Sequence, residues 1–226
     1  LDNCTAATVS STHASGSFFD VGLTTVTYTA SDGSGEVAQQ SFTVTVEDSE
    51  APDLFQMPGN LVVPNILGTC AATVTWSLPT ALDHCEEVPF EGTHTPGSSF
   101  PVGDTVVTYS ASDSQGNVAA ESFTVTVLDE EDPFFTSALP DEAMNIDPGE
   151  CTAGLNWDVP TAEDICGAVT LTPNFPPGSL FPIGTTVVVY TATDESGNTA
   201  TLSFEVTVTD NESPQFVGLP ESFTAG

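Results

Sequence analysis

The chain has 226 residues with 32 Asp and Glu, three His and neither Lys nor Arg, a formal charge of −32. That balance excludes nucleic acid and anionic membrane as direct partners, because both need cationic side chains to displace condensed counterions. It also excludes ion pairs to Lys or Arg, so carboxylates brought together need protons, wide spacing or bound metal cations; a solvated, halophile-like surface is the alternative reading.

One interval organises the chain. The step from Cys4 to Cys85 is also the step from Cys85 to Cys166, from Cys70 to Cys151, along Tyr28, Tyr109 and Tyr190, and along Asp32, Asp113 and Asp194. A fixed period that carries turns, core residues and acids together marks tandem domains. The register gives residues 1–47 as the C-terminal part of a repeat, 48–128 and 129–209 as complete repeats, and 210–226 as the N-terminal strand of a further one. Leu1 is not an initiator Met and no apolar leader follows it, so a window on a longer chain is expected.

In chain order, each repeat is predicted to close with an alternating strand. Phe42, Val44 and Val46 face one way while Ser41, Thr43 and Thr45 face the other, and Phe123, Val125, Val127 and then Phe204, Val206, Val208 repeat the pattern. Residues 105–111 and 186–192 read as the preceding strands. The turn formers at 112–117 and 193–198 join each pair, with Gly116 and Gly197 available for a positive φ. Trp76 and Trp157, each a short step after a cysteine, read as core side chains, with a sugar-stacking platform as the alternative. Segments 96–103 and 177–184 read as long surface loops whose Phe100 and Phe181 plug the sandwich edge. No long segment carries a helical period, whereas β-branched runs broken by Pro or Gly recur at short, regular spacing, which predicts an all-β sandwich.

Domains of this size bury a modest core and favour covalent staples. Cys70 stands as far from Cys85 as Cys151 does from Cys166, so one disulfide is predicted inside each complete repeat. Closing such a loop stabilises by about 3 kcal/mol in the chain-entropy account. Cys4 aligns with Cys85, which places its partner outside the sequence or in a neighbouring molecule. The disulfides imply an oxidising, extracellular setting.

The pattern resembles the hyalin repeat over essentially the whole chain. In the second complete repeat the resemblance is carried by Asp129, Glu131, Pro133, Cys151, Ala153, Trp157, Pro160, Ala162, Asp164 and Cys166, then by Phe181, Pro182, Gly184, Tyr190, Asp194, Gly197 and Asn198. Leu155 and Ile183 stand where the pattern has Val, and the first partial repeat departs from it at Asp20 and Glu36. The resemblance implies tandem immunoglobulin-like β-sandwich domains, each of the size of one repeat, in an elongated array. Such domains are found in extracellular, adhesive or matrix proteins and carry no catalysis of their own.

In an immunoglobulin-like sandwich the first strand begins where the last hairpin loop lies. Asp48 and Glu50 are therefore expected near Asp113, and Asp129 and Glu131 near Asp194, offering the hard oxygen donors that Ca²⁺ takes, with Asn117 and Asn198 as helpers. The register extends the candidate ligands to Asp2, Asp32, Asp210 and Glu212. Asp83 and Asp164 are junction candidates of undecided side: a Cys70–Cys85 bond would send Asp83 toward the next junction. Acids that merely occupy solvated turns are the alternative.

His13, His84 and His94 do not recur at the repeat period, while the acids recur in every repeat. A catalytic pair should occur once, so no enzyme is expected. Asn3 and Asn211 open possible glycosylation sequons. The reading is an extracellular structural or adhesive array, calcium-rigidified as a stalk or as the subunit of a head-to-tail filament. Its expected partners are neighbouring repeats or identical subunits, with glycans or cell-surface proteins beside them. Accessory carbohydrate- or protein-binding modules of a secreted enzyme or adhesin are the second reading.

Overall fold

The structure, a computed structural model, describes residues 6–84 and 88–218 and is all β, with no helix among the described residues. It divides into two compact units, Leu1–Met57 with Leu78–Thr93 and Thr108–Ser122, and Pro58–Ser77 with His94–Val107 and Phe123–Gly226.

Residues 129–209, inside the second unit, display one immunoglobulin-like sandwich entire. Strands Glu142–Asn145, Thr199–Thr209, Gly184–Thr193 and Thr170–Pro173 lie side by side in that order. The two long strands form a hairpin with Val188 opposite Phe204. Glu142–Asn145 joins in parallel, Met144 opposite Val208. Two short antiparallel pairs complete the fold, Phe134–Phe135 with Ala162–Glu163 and Thr152–Gly154 with Leu180–Pro182. The period-2 pattern explains the layering: Phe204, Val206 and Val208 point inward onto Val188, Tyr190 and Phe181, while the intervening polar residues lie outside the core. Trp157 belongs to this core. Its ring meets Phe204 edge-on at 5.3 Å, and its Nε1–H donates to the Tyr190 hydroxyl at 2.9 Å.

The preceding repeat follows the same plan, one interval earlier in sequence. Its four-stranded sheet runs Leu61–Pro64, Val118–Leu128, Gly103–Ser112, Phe90–Gly92, with short pairs Asp53–Phe55 on Thr80–Leu82 and Ala71–Val74 on Ser98–Pro101. The first portion is a three-stranded sheet of Thr8–Ser11, Gly22–Ser31 and Val37–Val46. Its Tyr28 is 44% exposed, whereas the equivalents Tyr109 and Tyr190 are buried.

Two expectations are corrected. Phe100 and Phe181 do not plug an edge from surface loops: each lies within a short paired strand and has no exposed surface. The cysteine pairing also differs. Cys70 is bonded to Cys166, with Cα atoms 5.0 Å apart and a sequence separation of 96, so the disulfide joins two repeats. That bond displaces both the Cys70–Cys85 and the Cys151–Cys166 pairs expected within repeats. The reason is visible in residues 129–209. Cys151 lies beside the strand that ends at Thr209, since Ile146 N–H donates to Thr209 O and Asp147 N–H to Thr152 O. The chain then traverses the sandwich to Ala162–Glu163, which pairs with Phe134–Phe135, and so delivers Cys166 to the end where the repeat begins. Cys151 is left exposed and unbonded among the described residues. Cys85 and Cys4 lie outside the described residues.

Candidate metal centre

Asp194 ends the strand Gly184–Thr193 and turns the chain. Its Oδ1 accepts the Gly197 and Asn198 N–H groups at 2.6 and 2.8 Å, and its Oδ2 accepts Asn198 Nδ2 at 2.8 Å. The same Asn198 amide donates to the Asp129 carbonyl at 3.1 Å, fastening the hairpin loop to the start of the repeat. Asp113 does the same with Asn117, whose amide reaches the Asp113 carboxylate at 2.7 Å and the Asp48 carbonyl at 3.2 Å. Gly116 and Gly197 supply the positive φ these turns require, 90° and 94°. Burial raises the Asp113 and Asp194 carboxyls, but hydrogen bonds from the loop, with the Asn side chains foremost, outweigh it and hold both below the ordinary carboxylate value.

The acids converge beside these turns. One ligand atom from each of Asp48, Asp83 and Asp113 lies within 4.8 Å of the other two. In the next repeat Asp129 and Asp164 come together in the same way, but the third member of that group is Cys166, and Asp194, the counterpart of Asp113, is not part of it. Cys166 is spent in the disulfide and offers no thiolate, which leaves a donor set of carboxylate oxygens, the chemistry of a hard cation such as Ca²⁺. Asp83 and Asp164 each stand with the opening Asp of their own repeat, because the chain crosses the sandwich before reaching them.

The predicted Glu ligands are not members of these two groups among the described residues. Glu131 Oε1 accepts Gly68 N–H at 2.7 Å and Oε2 accepts Asn65 Nδ2 at 3.3 Å, both in the preceding repeat. Glu212 accepts Gly149 N–H at 3.0 Å in the same way. Glu50 faces His84 Nδ1 at 3.4 Å, with both side chains exposed. Asp32 receives Ser34 and Glu36 N–H groups at 2.9 Å in its own turn, and Asp210 receives Glu212 N–H at 2.9 Å. Asn211 is exposed. Asp2 and Asn3 lie outside the described residues. The Gly68 and Gly149 caps were missed by sequence reasoning, although both glycines and both glutamates obey the repeat interval and were open to the same inference as the acids.

Tandem immunoglobulin-like sandwiches with recurrent junction carboxylates define a class of repeat module. The HYR domain profile matches residues 1–46, 47–127 and 129–208. The chain belongs to the HYR domain family. It is 37% identical over 207 residues to hyalin of Strongylocentrotus purpuratus, covering 88% of this chain and 17% of that protein. It is 35% identical over 200 residues to hyalin of Lytechinus variegatus, covering 87% and 38%. The chain thus spans well under half the length of either relative. Among solved structures, a protocadherin gammaB7 EC3-6 cis-dimer aligns at a TM-score of 0.38 and 14% identity, covering 83% of this chain and 58% of that one. No helix among the described residues is long and apolar enough to cross a membrane.

Proposed function

We propose that this chain is an extracellular structural and adhesive array without catalytic activity, rigidified by Ca²⁺ held where one repeat meets the next. The observation that carries the reading is the convergence of Asp48, Asp83 and Asp113 from three separate segments, repeated by Asp129 and Asp164, in a chain with no Lys or Arg to neutralise them. Three carboxylates within 4.8 Å repel one another when all are ionised, and a divalent cation removes that repulsion. Carboxylate oxygens supply part of a six- to eight-fold shell, and water and backbone carbonyls supply the remainder. Filament assembly by head-to-tail repetition of identical subunits belongs to the same reading, as does association with cell-surface proteins or glycans.

The test is calcium titration by calorimetry, combined with thermal unfolding in Ca²⁺ and in chelator. At a calcium concentration 100 times Kd, binding stabilises by about 2.7 kcal/mol, a shift of several degrees in Tm. An unchanged Tm together with no heat of binding would sink the calcium reading.

A further inference from the structure

We propose that Cys151 is the docking half of a second covalent clamp, bonding a cysteine of a following repeat as Cys70 bonds Cys166. This deepens the array reading and rests on it, but owes nothing to calcium.

The equivalence of the two positions is structural as well as numerical. Around Cys70, Asn65 N–H donates to Leu128 O at 2.8 Å, Ile66 N–H to Ala71 O at 2.8 Å, and Thr69 N–H to Ile66 O at 2.9 Å. Around Cys151 the same bonds recur one repeat interval on: Ile146 N–H to Thr209 O at 3.1 Å, Asp147 N–H to Thr152 O at 2.9 Å, and Glu150 N–H to Asp147 O at 2.9 Å. The opening segment of a following repeat is already seated there. Glu212 caps Gly149 as Glu131 caps Gly68, and Asp210 accepts the Glu212 N–H as Asp129 accepts that of Glu131. At the first junction this arrangement brings an Asp-x-Cys segment, Asp164 to Cys166, onto Cys70. At the second, Cys151 is exposed and unbonded, and the register places the cysteine it takes 96 residues further on.

The bond forms by thiol–disulfide exchange with a small-molecule disulfide such as oxidised glutathione. The Cys151 thiolate attacks it and releases one glutathione thiolate. The incoming cysteine's thiolate then attacks the Cys151 sulfur of the mixed disulfide, forming the protein disulfide and releasing the second glutathione. The two protein thiols give up two protons and two electrons, and the two released glutathiones take them up.

The test inserts a second copy of residues 48–128 between Thr209 and Asp210 of the full chain, with Cys85→Ser in the original copy so that the inserted Asp-His-Cys segment is unambiguous. The purified chain is oxidised in a glutathione buffer, digested without reduction by glutamyl endopeptidase and chymotrypsin, and its linked peptides are identified by mass. The expected result is a peptide joining Cys151 to the inserted Asp-His-Cys cysteine beside the Cys70–Cys166 pair, with the new link lost in Cys151→Ser. Recovery of Cys151 as thiol or glutathione adduct, with Cys70–Cys166 formed, overturns the clamp and leaves the array reading standing. Recovery of Cys151 joined to Cys166 overturns the clamp and the Cys70–Cys166 link on which it is patterned, and leaves the array reading standing.

Discussion

Glu131 accepts the Gly68 N–H at 2.7 Å, so the opening segment of one repeat caps a turn of the repeat before it. Gly68 adopts φ of +76°, and a charged acceptor fixes a backbone conformation that few residues other than glycine take up. Removing the carboxylate with Glu131→Ala is expected to cost about 1 kcal/mol, below what a buried bond to a charged group contributes because the turn is exposed. Glu50→Ala loses only the exposed contact to His84 and should cost about 0.5 kcal/mol or less. Urea unfolding midpoints compare the two, and equal shifts would contradict the cap.

Acid sensitivity follows from Asp113 and Asp194. Their folded-state pKa values lie below the ordinary one, so the stability they contribute is complete above the unfolded carboxylate range, about pH 4, and drains away as pH falls through the folded value. Asn117→Ala removes the foremost bond that lowers Asp113. The Asp113 carboxyl should then titrate at higher pH, and the acid transition of the chain should move up with it. A carbon-detected NMR titration of Asp carboxyls checks the first, and unfolding monitored against pH the second.

The repeat interval makes the all-β fold, the hairpins and the convergence of the opening Asp on the hairpin loop legible in the sequence. Side-chain alternation has a period of two, so Phe123 and Phe204 can be assigned inward from sequence alone. The cysteine pairing is not legible. Cys151 and Cys166 have the same separation in sequence whether the chain doubles back or crosses the sandwich, and only the pairing of Ala162–Glu163 with Phe134–Phe135 decides between them. The same choice fixes the side on which Asp164 falls. Phe100 and Phe181 are easily misplaced because Pro and Gly flank them, and such punctuation signals loops even where a strand of three or four residues fits between.

The disulfide between repeats makes a prediction opposite to the one a bond within a repeat would make. Cys166→Ser opens a link spanning 96 residues, which the chain-entropy account values at about 4 to 5 kcal/mol, and the loss should appear in both repeats that the bond joins. Cys85→Ser should leave the Cys70–Cys166 bond intact. Hydrogen exchange resolved by segment reads the distribution. Exchange accelerated in residues 129–209 alone by Cys166→Ser would point back to a bond with Cys151.

Tyr190 is buried and its hydroxyl accepts the Trp157 Nε1–H at 2.9 Å. Tyr190→Phe keeps the ring packing and strands that donor in a half-buried site. The expected cost is about 1 to 2 kcal/mol, measured as a lower midpoint in chemical unfolding with an unchanged m-value. A variant as stable as the parent would mean that water serves Trp157 equally well.

Asp83→Asn and Asp164→Asn separate a cation role from a turn role at the two acid groups. Each exchange preserves size and removes one charge. At Asp164 the Asn carbonyl oxygen can still accept the Cys166 N–H that Oδ1 now receives at 2.7 Å, so the local turn is expected to survive. Each variant should lose roughly tenfold in calcium affinity at one site, equivalent to about 1.4 kcal/mol, while the other site binds as before. Asp158→Asn, at an exposed position in neither group, is the control and should change nothing. If calorimetry finds calcium bound with the same affinity in all three variants, the cation is held elsewhere and the convergent carboxylates serve the turns alone.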